Sequence, residues 1–236
     1  MGLLDKIVNV FGKGGNLLYY PGCLTRYKIP DVMERYKKIL DSLGIEYIMV
    51  EDFHCCGSPP LNAGYADDYR NLREYNLKKL KDYGVGKVVS NCPTCFSIFK
   101  SLYGVNTTHM TLMLLEHVDK LEPVKENVKV TFHDPCHLGR YEGIFDPPRE
   151  LIEQLGYEIV EMEHTREKSV CCGAGGGVRS NFDKISRNIA LRRVKEAKDT
   201  GAEWLVTACP MCYLQLKEAG DKAGLEVKEL SHIIKI

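Results

Sequence analysis

The sequence predicts an α/β fold made of two Rossmann-like parallel-sheet repeats related by a pseudo-twofold axis, with cysteine motifs at the C-terminal ends of strands. Three observations predict it. The ten cysteines of the 236 residues form two sets on one plan: a single Cys, a Cys-Cys-Gly and a Cys-Pro-x-Cys. The first set is Cys23, Cys55, Cys56, Cys92 and Cys95; the second is Cys136, Cys171, Cys172, Cys209 and Cys212. Intervals of 31 and 35 residues in the first half answer 34 and 36 in the second. Other landmarks repeat in register. Cys23-Leu24-Thr25-Arg26-Tyr27 answers Cys136-His137-Leu138-Gly139-Arg140-Tyr141, Leu43-Gly44-Ile45-Glu46 answers Leu155-Gly156-Tyr157-Glu158, and His109 is paired with His232. A repeat of this length marks internal duplication. Finally, short apolar runs alternate with stretches of helical period, the signature of parallel β-α-β units.

The elements follow in order. Residues 1–16 are expected to be an N-terminal helical extension, with Leu3, Leu4, Ile7, Val8 and Phe11 on one face, packed on this chain or a partner in preference to a membrane surface. The first repeat is placed at 17–122 and the second at 123–236. Leu17–Tyr20 reads as a strand, turned by Pro21-Gly22. Pro30 opens a helix through Val32, Tyr36, Ile39, Leu40 and Leu43 that stops at Gly44. Ile45–Val50 is the next expected strand, ending before His54-Cys55-Cys56-Gly57. A helix over about 66–83 and a strand over 86–90 then deliver Asn91-Cys92-Pro93-Thr94-Cys95 to another helix start. Strands near Val128–Phe132, Tyr157–Glu161 and Trp204–Thr207 repeat the pattern. Each cysteine group thus falls just past a strand's C-terminal end, the edge where open parallel sheets bind ligands. Three loops converge there in each half, and a pseudo-twofold axis would set two centres across a shared cleft.

Composition narrows the chemistry. Lys+Arg and Asp+Glu both number 32, so there is no basic footprint for nucleic acid. No apolar run approaches a membrane span, so no transmembrane segment is expected. No export signal is visible. A cytoplasmic location follows, in a membrane-associated complex only through a partner. In a reducing compartment, cysteines gathered in motifs bind metal more often than they form disulfides.

Five thiols per half is one more than tetrahedral zinc or a cubane iron–sulfur cluster uses. Adjacent cysteines on an extended strand point to opposite faces, so Cys55-Cys56 and Cys171-Cys172 serve one site only if the backbone turns sharply at Gly57 and Gly173. The count favours an enlarged or opened iron–sulfur cluster, with one sulfur bridging two irons. Zinc in at least one half, and plain core cysteines or disulfides, remain the alternatives.

The doubled Cys…Cys-Cys-Gly…Cys-Pro-x-Cys pattern resembles the cysteine-rich CCG-domain family, which includes the B and D subunits of heterodisulfide reductase. Iron–sulfur subunits of glycolate oxidase and anaerobic glycerol-3-phosphate dehydrogenase share it. Tyr20-Pro21-Gly22-Cys23, Cys55-Cys56-Gly57-Ser58-Pro59, His133-Asp134-Pro135-Cys136-His137-Leu138 and Cys171-Cys172-Gly173-Ala174-Gly175-Gly176 look like its signatures. The resemblance implies two noncubane [4Fe-4S] clusters, one on Cys23, Cys55, Cys56, Cys92 and Cys95, the other on Cys136, Cys171, Cys172, Cys209 and Cys212. It also implies reduction of a small disulfide between them. No ferredoxin-type cysteine run and no flavin or nicotinamide fingerprint is present, so electrons are expected from flavin- or ferredoxin-type electron-transfer subunits. The alternatives are an electron-transfer subunit of a flavin-linked hydroxyacid or glycerol-3-phosphate dehydrogenase, and a zinc-stabilised scaffold. Independently of family, disulfide cleavage takes two electrons, which two one-electron centres would supply.

The remaining motifs carry weaker signals. The run Cys171–Gly177 lacks the Gly-Lys-Ser/Thr of a phosphate-binding loop, so close backbone wrapping around a cluster is the preferred role. His54, His133 and His137 flank ligand cysteines, where packing around the centre outweighs ligation or proton donation. Arg26 and Arg140 are candidates for holding an anionic substrate tail, as is Arg179, against the alternative of surface ion pairs.

Overall fold

The structure, a computed structural model, describes residues 15–125 and 127–236; the expected helix over the opening residues lies outside them. The first half runs β1 (Asn16–Tyr19), α1 (Gly22–Lys28), α2 (Pro30–Ser42), α3 (Ser58–Asn62), α4 (Ala66–Asp82), β2 (Val85–Ser90), α5 (Pro93–Ser97), β3 (Thr107–His109) and α6 (Met110–Leu115). The second runs β4 (Lys129–His133), α7 (Asp146–Gln154), β5 (Glu158–Ile159), α8 (Val178–Asn181), α9 (Asp183–Asp199), β6 (Trp204–Thr207), α10 (Pro210–Ala223) and β7 (Glu226–Glu229). All pairings are parallel, in the orders β1-β2-β3 and β5-β4-β6-β7. The central strands read as apolar runs because helices cover both faces. Val88, Val89, Val130, Phe132, Leu205 and Val206 are fully buried, each worth roughly 1.5–3 kcal/mol of transfer free energy.

Local sequence explains the helices. Pro30 begins α2, where its missing N–H costs nothing, and Val32, Tyr36, Ile39 and Leu40 bury one face at helical spacing. The expected strand over Ile45–Val50 is reduced to a single bridge between Leu18 and Ile48. Ile48 N donates to Leu17 O at 2.8 Å and Tyr19 N to Ile48 O at 2.9 Å. Its counterpart β5 is only two residues long, extended by a bond from Val160 N to Val130 O of 2.8 Å. Both are edge segments that peel away to reach the Cys-Cys-Gly loop, and twist limits how long an edge stays in register. Two further edge strands, β3 and β7, carry too few apolar residues for a periodicity signal.

The two sheets correspond strand for strand, with the Ile48 bridge, β1, β2 and β3 matching β5, β4, β6 and β7. Register corrects one landmark. Ser90, two residues before Cys92, pairs with His109, whereas Thr207, two before Cys209, pairs with Glu229. The partner of His109 is therefore Glu229, not His232. Both cap the turn that follows: His109 accepts from Thr111 N, and Glu229 from Ser231 N.

Contacts between the halves are reciprocal. Helix α2 packs on the turn Leu230–Ile233 after β7, and α7 packs on α6 after β3. Helix α1 touches α10, while the turn His137–Tyr141, which takes the place of α1 in the second half, touches α5. Such paired contacts are what a twofold relation produces. Tyr36 Oη donates to Glu229 Oε1 at 2.7 Å and Arg35 to the carbonyls of Ser231 and Ile234, so polar bonds also stitch the halves.

Candidate metal centres

Each cysteine set is delivered by three strand ends. In the first half, β1 leads through Pro21-Gly22 to Cys23, the loop after Ile48 carries Cys55-Cys56, and β2 ends before Cys92, whose helix α5 holds Cys95. The vicinal pair turns at Gly57, φ 85°, and its counterpart at Gly173, φ 87°. An L side chain there would be strained and would strike Tyr69 or Ile189. Gly22 is equally constrained: a Cβ on it would sit 3.1 Å from Cys95 Sγ.

The structure brings all five thiols of each set together. In the first, side-chain contacts run from Cys23 to Cys55, Cys56, Cys95 and Cys92. In the second they run from Cys136 to Cys171, Cys172, Cys212 and Cys209. Cys95 and Cys56 sulfurs lie 3.5 Å apart, and those of Cys212 and Cys172 3.4 Å. A disulfide needs about 2.05 Å. All ten are free thiols, and only Cys23 is exposed.

The electrostatics favour a cation. Thiol donors from Cys55 and Cys95 pull Cys56 down to about 5, while Cys95 and Cys23 are pushed up by hydrogen bonding to neighbouring thiols and by burial. In the second set, Cys136 and Cys172 donate to Cys171 and drive it down to about 2, aided by Gly173 N at 3.4 Å. Cys136, Cys172 and Cys212 move the opposite way. Packed thiols stabilise one anion and oppose the next; a bound metal removes that opposition and ionises its ligands. The donor set fits an all-thiolate centre in each half.

The other expected site residues divide. His133 is fully buried, and its ring nitrogen lies with the Cys172 and Cys212 sulfurs, all within 4.8 Å of one another. Burial first, then the Arg193 guanidinium, pushes its pKa down to about 3, leaving the ring neutral. His137 stacks on Tyr141 with Nδ1 3.4 Å from Cys136 Sγ. His54 is exposed and stacks on Tyr75 instead. Arg26 donates to the carbonyls of Val50 and Glu51, and Arg140 to that of Ser169, at 2.5 Å. Both therefore tie down the loop that leads to a Cys-Cys-Gly. Arg26 also lines a groove with Tyr27, Met33, Lys37, Tyr47 and Glu51 that contains none of the cysteines. Arg179 is engaged by Gln215 and Glu218.

A family model described as the CCG cysteine-rich domain matches residues 17–100 and again 130–217, one match per half. The chain belongs to the CCG cysteine-rich domain family. Among relatives, the CCG pair is 37% identical over 233 residues to the D subunit of the dihydromethanophenazine:CoB–CoM heterodisulfide reductase of Methanosarcina acetivorans, covering 91% of this chain and 57% of that protein. The B subunit of the CoM/CoB fumarate reductase of Methanothermobacter marburgensis is 31% identical, with coverage of 94% and 46%. The EtfAB:quinone oxidoreductase of Syntrophomonas wolfei is 31% identical, with coverage of 91% and 33%. The CCG pair thus spans about half the length, or less, of these relatives. Iron–sulfur oxidoreductases are among its family. A solved Helicobacter pylori protein, 12% identical, superposes with a TM-score of 0.63 over 98% of this chain and 52% of its own, a likeness of fold alone. No helix among the described residues is long and apolar enough to cross a membrane.

Sequence reasoning passed over Arg193 and Asn76. Each is the eleventh residue of a seventeen-residue helix, α9 or α4, and each is fully buried beside its Cys-Cys-Gly loop. Asn76 Nδ2 donates to Cys55 O, and Arg193 reaches His133. The signal was present: Ser186, Ala190, Arg193, Val194 and Ala197 share one helical face, so Arg193 interrupts a small-residue stripe.

Proposed function

We propose that the chain is the iron–sulfur subunit of a heterodisulfide-reductase-like redox complex, holding two noncubane [4Fe-4S] clusters on five cysteines each and reducing a small disulfide. The reciprocal packing carries this reading. Helix α1, with Cys23, abuts α10, with Cys212; the turn following Cys136 abuts α5, with Cys95. Elements that carry cysteines of one set thus pack on elements that carry cysteines of the other, which supports a substrate shared between the two halves. Cleaving R–S–S–R′ to two thiols consumes two electrons and two protons. Each cluster, when bound, supplies one-electron chemistry. In this reading the cysteines hold the centres, and His137, whose Nδ1 lies 3.4 Å from Cys136 Sγ, hands on a proton. Electrons enter from a flavin- or ferredoxin-type partner, and the complex is cytoplasmic, membrane-associated only through that partner. Arg26 and Arg140 brace the motif loops, and any donors they direct outward would hold an anionic tail of the substrate.

The test is anaerobic metal and acid-labile sulfide analysis of the purified chain, followed by disulfide consumption with reduced viologen. About eight iron and eight sulfide per chain, four of each per cluster, with thiol product, is the expected result. Zinc in either half overturns the two-cluster reading. Similarity to the EtfAB:quinone oxidoreductase favours a second reading, an electron-transfer subunit of a flavin-linked dehydrogenase. That reading predicts the same iron content and no disulfide consumption.

A further inference from the structure

The halves repeat the cysteine plan but not what lies beneath it. In the second half, β4 ends in His133, three residues before Cys136; in the first, the equivalent residue before Cys23 is Tyr20. Tyr20 Oη donates to His54 O at 2.9 Å and so is spent on the backbone. Beneath His133 lies Arg193, with no exposed side-chain surface, where the first half has the neutral Asn76. Arg193 Nε donates to His133 Nδ1 at 3.2 Å. Its Nη1 is held by His164 O and Glu196, each at 2.8 Å, and its Nη2 by Ser169 Oγ at 3.3 Å.

That bond decides the tautomer. Arg193 has only N–H donors to offer, so Nδ1 accepts and the neutral ring carries its proton on Nε2. Nε2 is buried and has no hydrogen-bond partner among the described residues. A donor without an acceptor costs free energy in a protein interior, and the Cys172 and Cys212 sulfurs lie within 4.8 Å of a ring nitrogen of His133. A protonated Nε2 cannot ligate a metal, since its in-plane orbital is taken up by the N–H bond and its remaining pair belongs to the aromatic ring. It can donate to sulfur.

We propose that His133, oriented by Arg193, donates an Nε2–H hydrogen bond to the sulfur shell of the second centre and makes it the higher-potential member of the pair, where the first transferred electron comes to rest. Hydrogen bonds to sulfur stabilise the more negative, reduced state and raise the reduction potential. At the equivalent positions the first half has Tyr20 and the neutral Asn76, and its own orphaned imidazole, His109, joins no such cluster with cysteine sulfurs among the described residues, so the surroundings of the two sets differ although their cysteines match. The inference rests on the iron–sulfur reading above and adds an internal direction to it.

Anaerobic potentiometric titration of the full chain, followed by electron paramagnetic resonance with iron and sulfide counted in each sample, tests it. His133→Phe keeps a ring of similar size without the donor. It is expected to keep wild-type iron and lower one midpoint potential by at least 59 mV, a tenfold change in a one-electron equilibrium. Arg193→Lys, which retains the charge but not the Nε fork, should move the same wave in the same direction. Tyr20→Phe should leave that wave in place. Wild-type iron with both waves unmoved overturns the inference while sparing the iron–sulfur reading. Loss of iron from the second half in His133→Phe marks His133 as a ligand and also overturns it. Absence of iron from the wild-type chain ends both. Should the variants fail to fold, electron-nuclear double resonance on unaltered protein with 15N-labelled histidine decides. A weak nitrogen coupling with an exchangeable proton supports donation; a strong ligand-type coupling, or none, refutes it.

Discussion

Glu229 links the two halves, and its burial makes that link pH-dependent. The side chain is fully buried and accepts from Tyr36 Oη at 2.7 Å, Ser231 N at 2.8 Å and Ser231 Oγ at 2.6 Å. Arg35 is the nearby cation, and His232, itself against Asp31, meets the Glu229 backbone N–H. Burial outweighs these donors and pushes the carboxyl from 4.5 up to about 7. Below pH 4.5 both folded and unfolded chains hold the proton, and Glu229 adds no pH dependence. Between 4.5 and 7 the unfolded chain releases it while the folded chain retains it, so stability falls as pH rises. The full loss is about 3 kcal/mol, from 1.36 kcal/mol for each tenfold change in proton activity. Between pH 5.5 and 8 about 2 kcal/mol of it remains to be lost. Glu229→Gln keeps the shape and cannot ionise. Denaturant unfolding of the two proteins, under thiol reductant and in the same metal state, cancels other titrations in the difference. Wild type should lose about 2 kcal/mol relative to the variant across that range, and the labelled Glu229 carboxyl should titrate near 7. Difference curves flat to within about 0.5 kcal/mol, or a carboxyl midpoint near 4.5, would refute the argument.

Other perturbations have equally definite outcomes. Cys172→Ser should remove about half the iron, four of about eight atoms, and leave the Mössbauer signature of the first set intact. Gly22→Ala places a Cβ 3.1 Å from Cys95 Sγ at φ 80°. Strain of about 1–3 kcal/mol there should speed chelator extraction of the first centre alone. Asp134 is buried and paired bidentately with Arg149 at 2.7 and 2.9 Å. Burial opposes its ionisation, but Arg149 outweighs burial and holds the carboxyl below 3.8. Asp134→Asn should therefore cost about 3–5 kcal/mol at neutral pH, the difference from wild type vanishing as pH falls through that depressed pKa. Losing Arg26 and Arg140 together, with wild-type iron retained, should raise the Michaelis constant for an anionic disulfide more than for a neutral one; an equal effect on both rejects a substrate role and leaves them as braces of the motif loops.

The family, the duplication and the ten cysteines were legible in the sequence because each is a matter of spacing. Thiols at recurring intervals past apolar runs imply strand ends that converge, whatever the details between. The long helices were legible for the same reason: Val32, Tyr36, Ile39 and Leu40 repeat at the helical period. Edge strands were not. Ile45–Val50 has the composition of a strand, yet only Ile48 pairs, because edge pairing depends on where the loop to Cys55 leaves the sheet.

Sequence order could not show which polar residues lie beneath which cysteines. Arg193 is sixty residues from His133, and Glu229 is 193 from Tyr36. A side chain's partner is set by the packing of helices against sheets, which linear spacing does not encode. The spacing of the cysteines determined that two like sets of five thiols would be gathered at strand ends. The sequence also shows Tyr20 where the second half has His133, but only tertiary packing set the buried Arg193 guanidinium against that imidazole and Asn76 in the matching place of the first half.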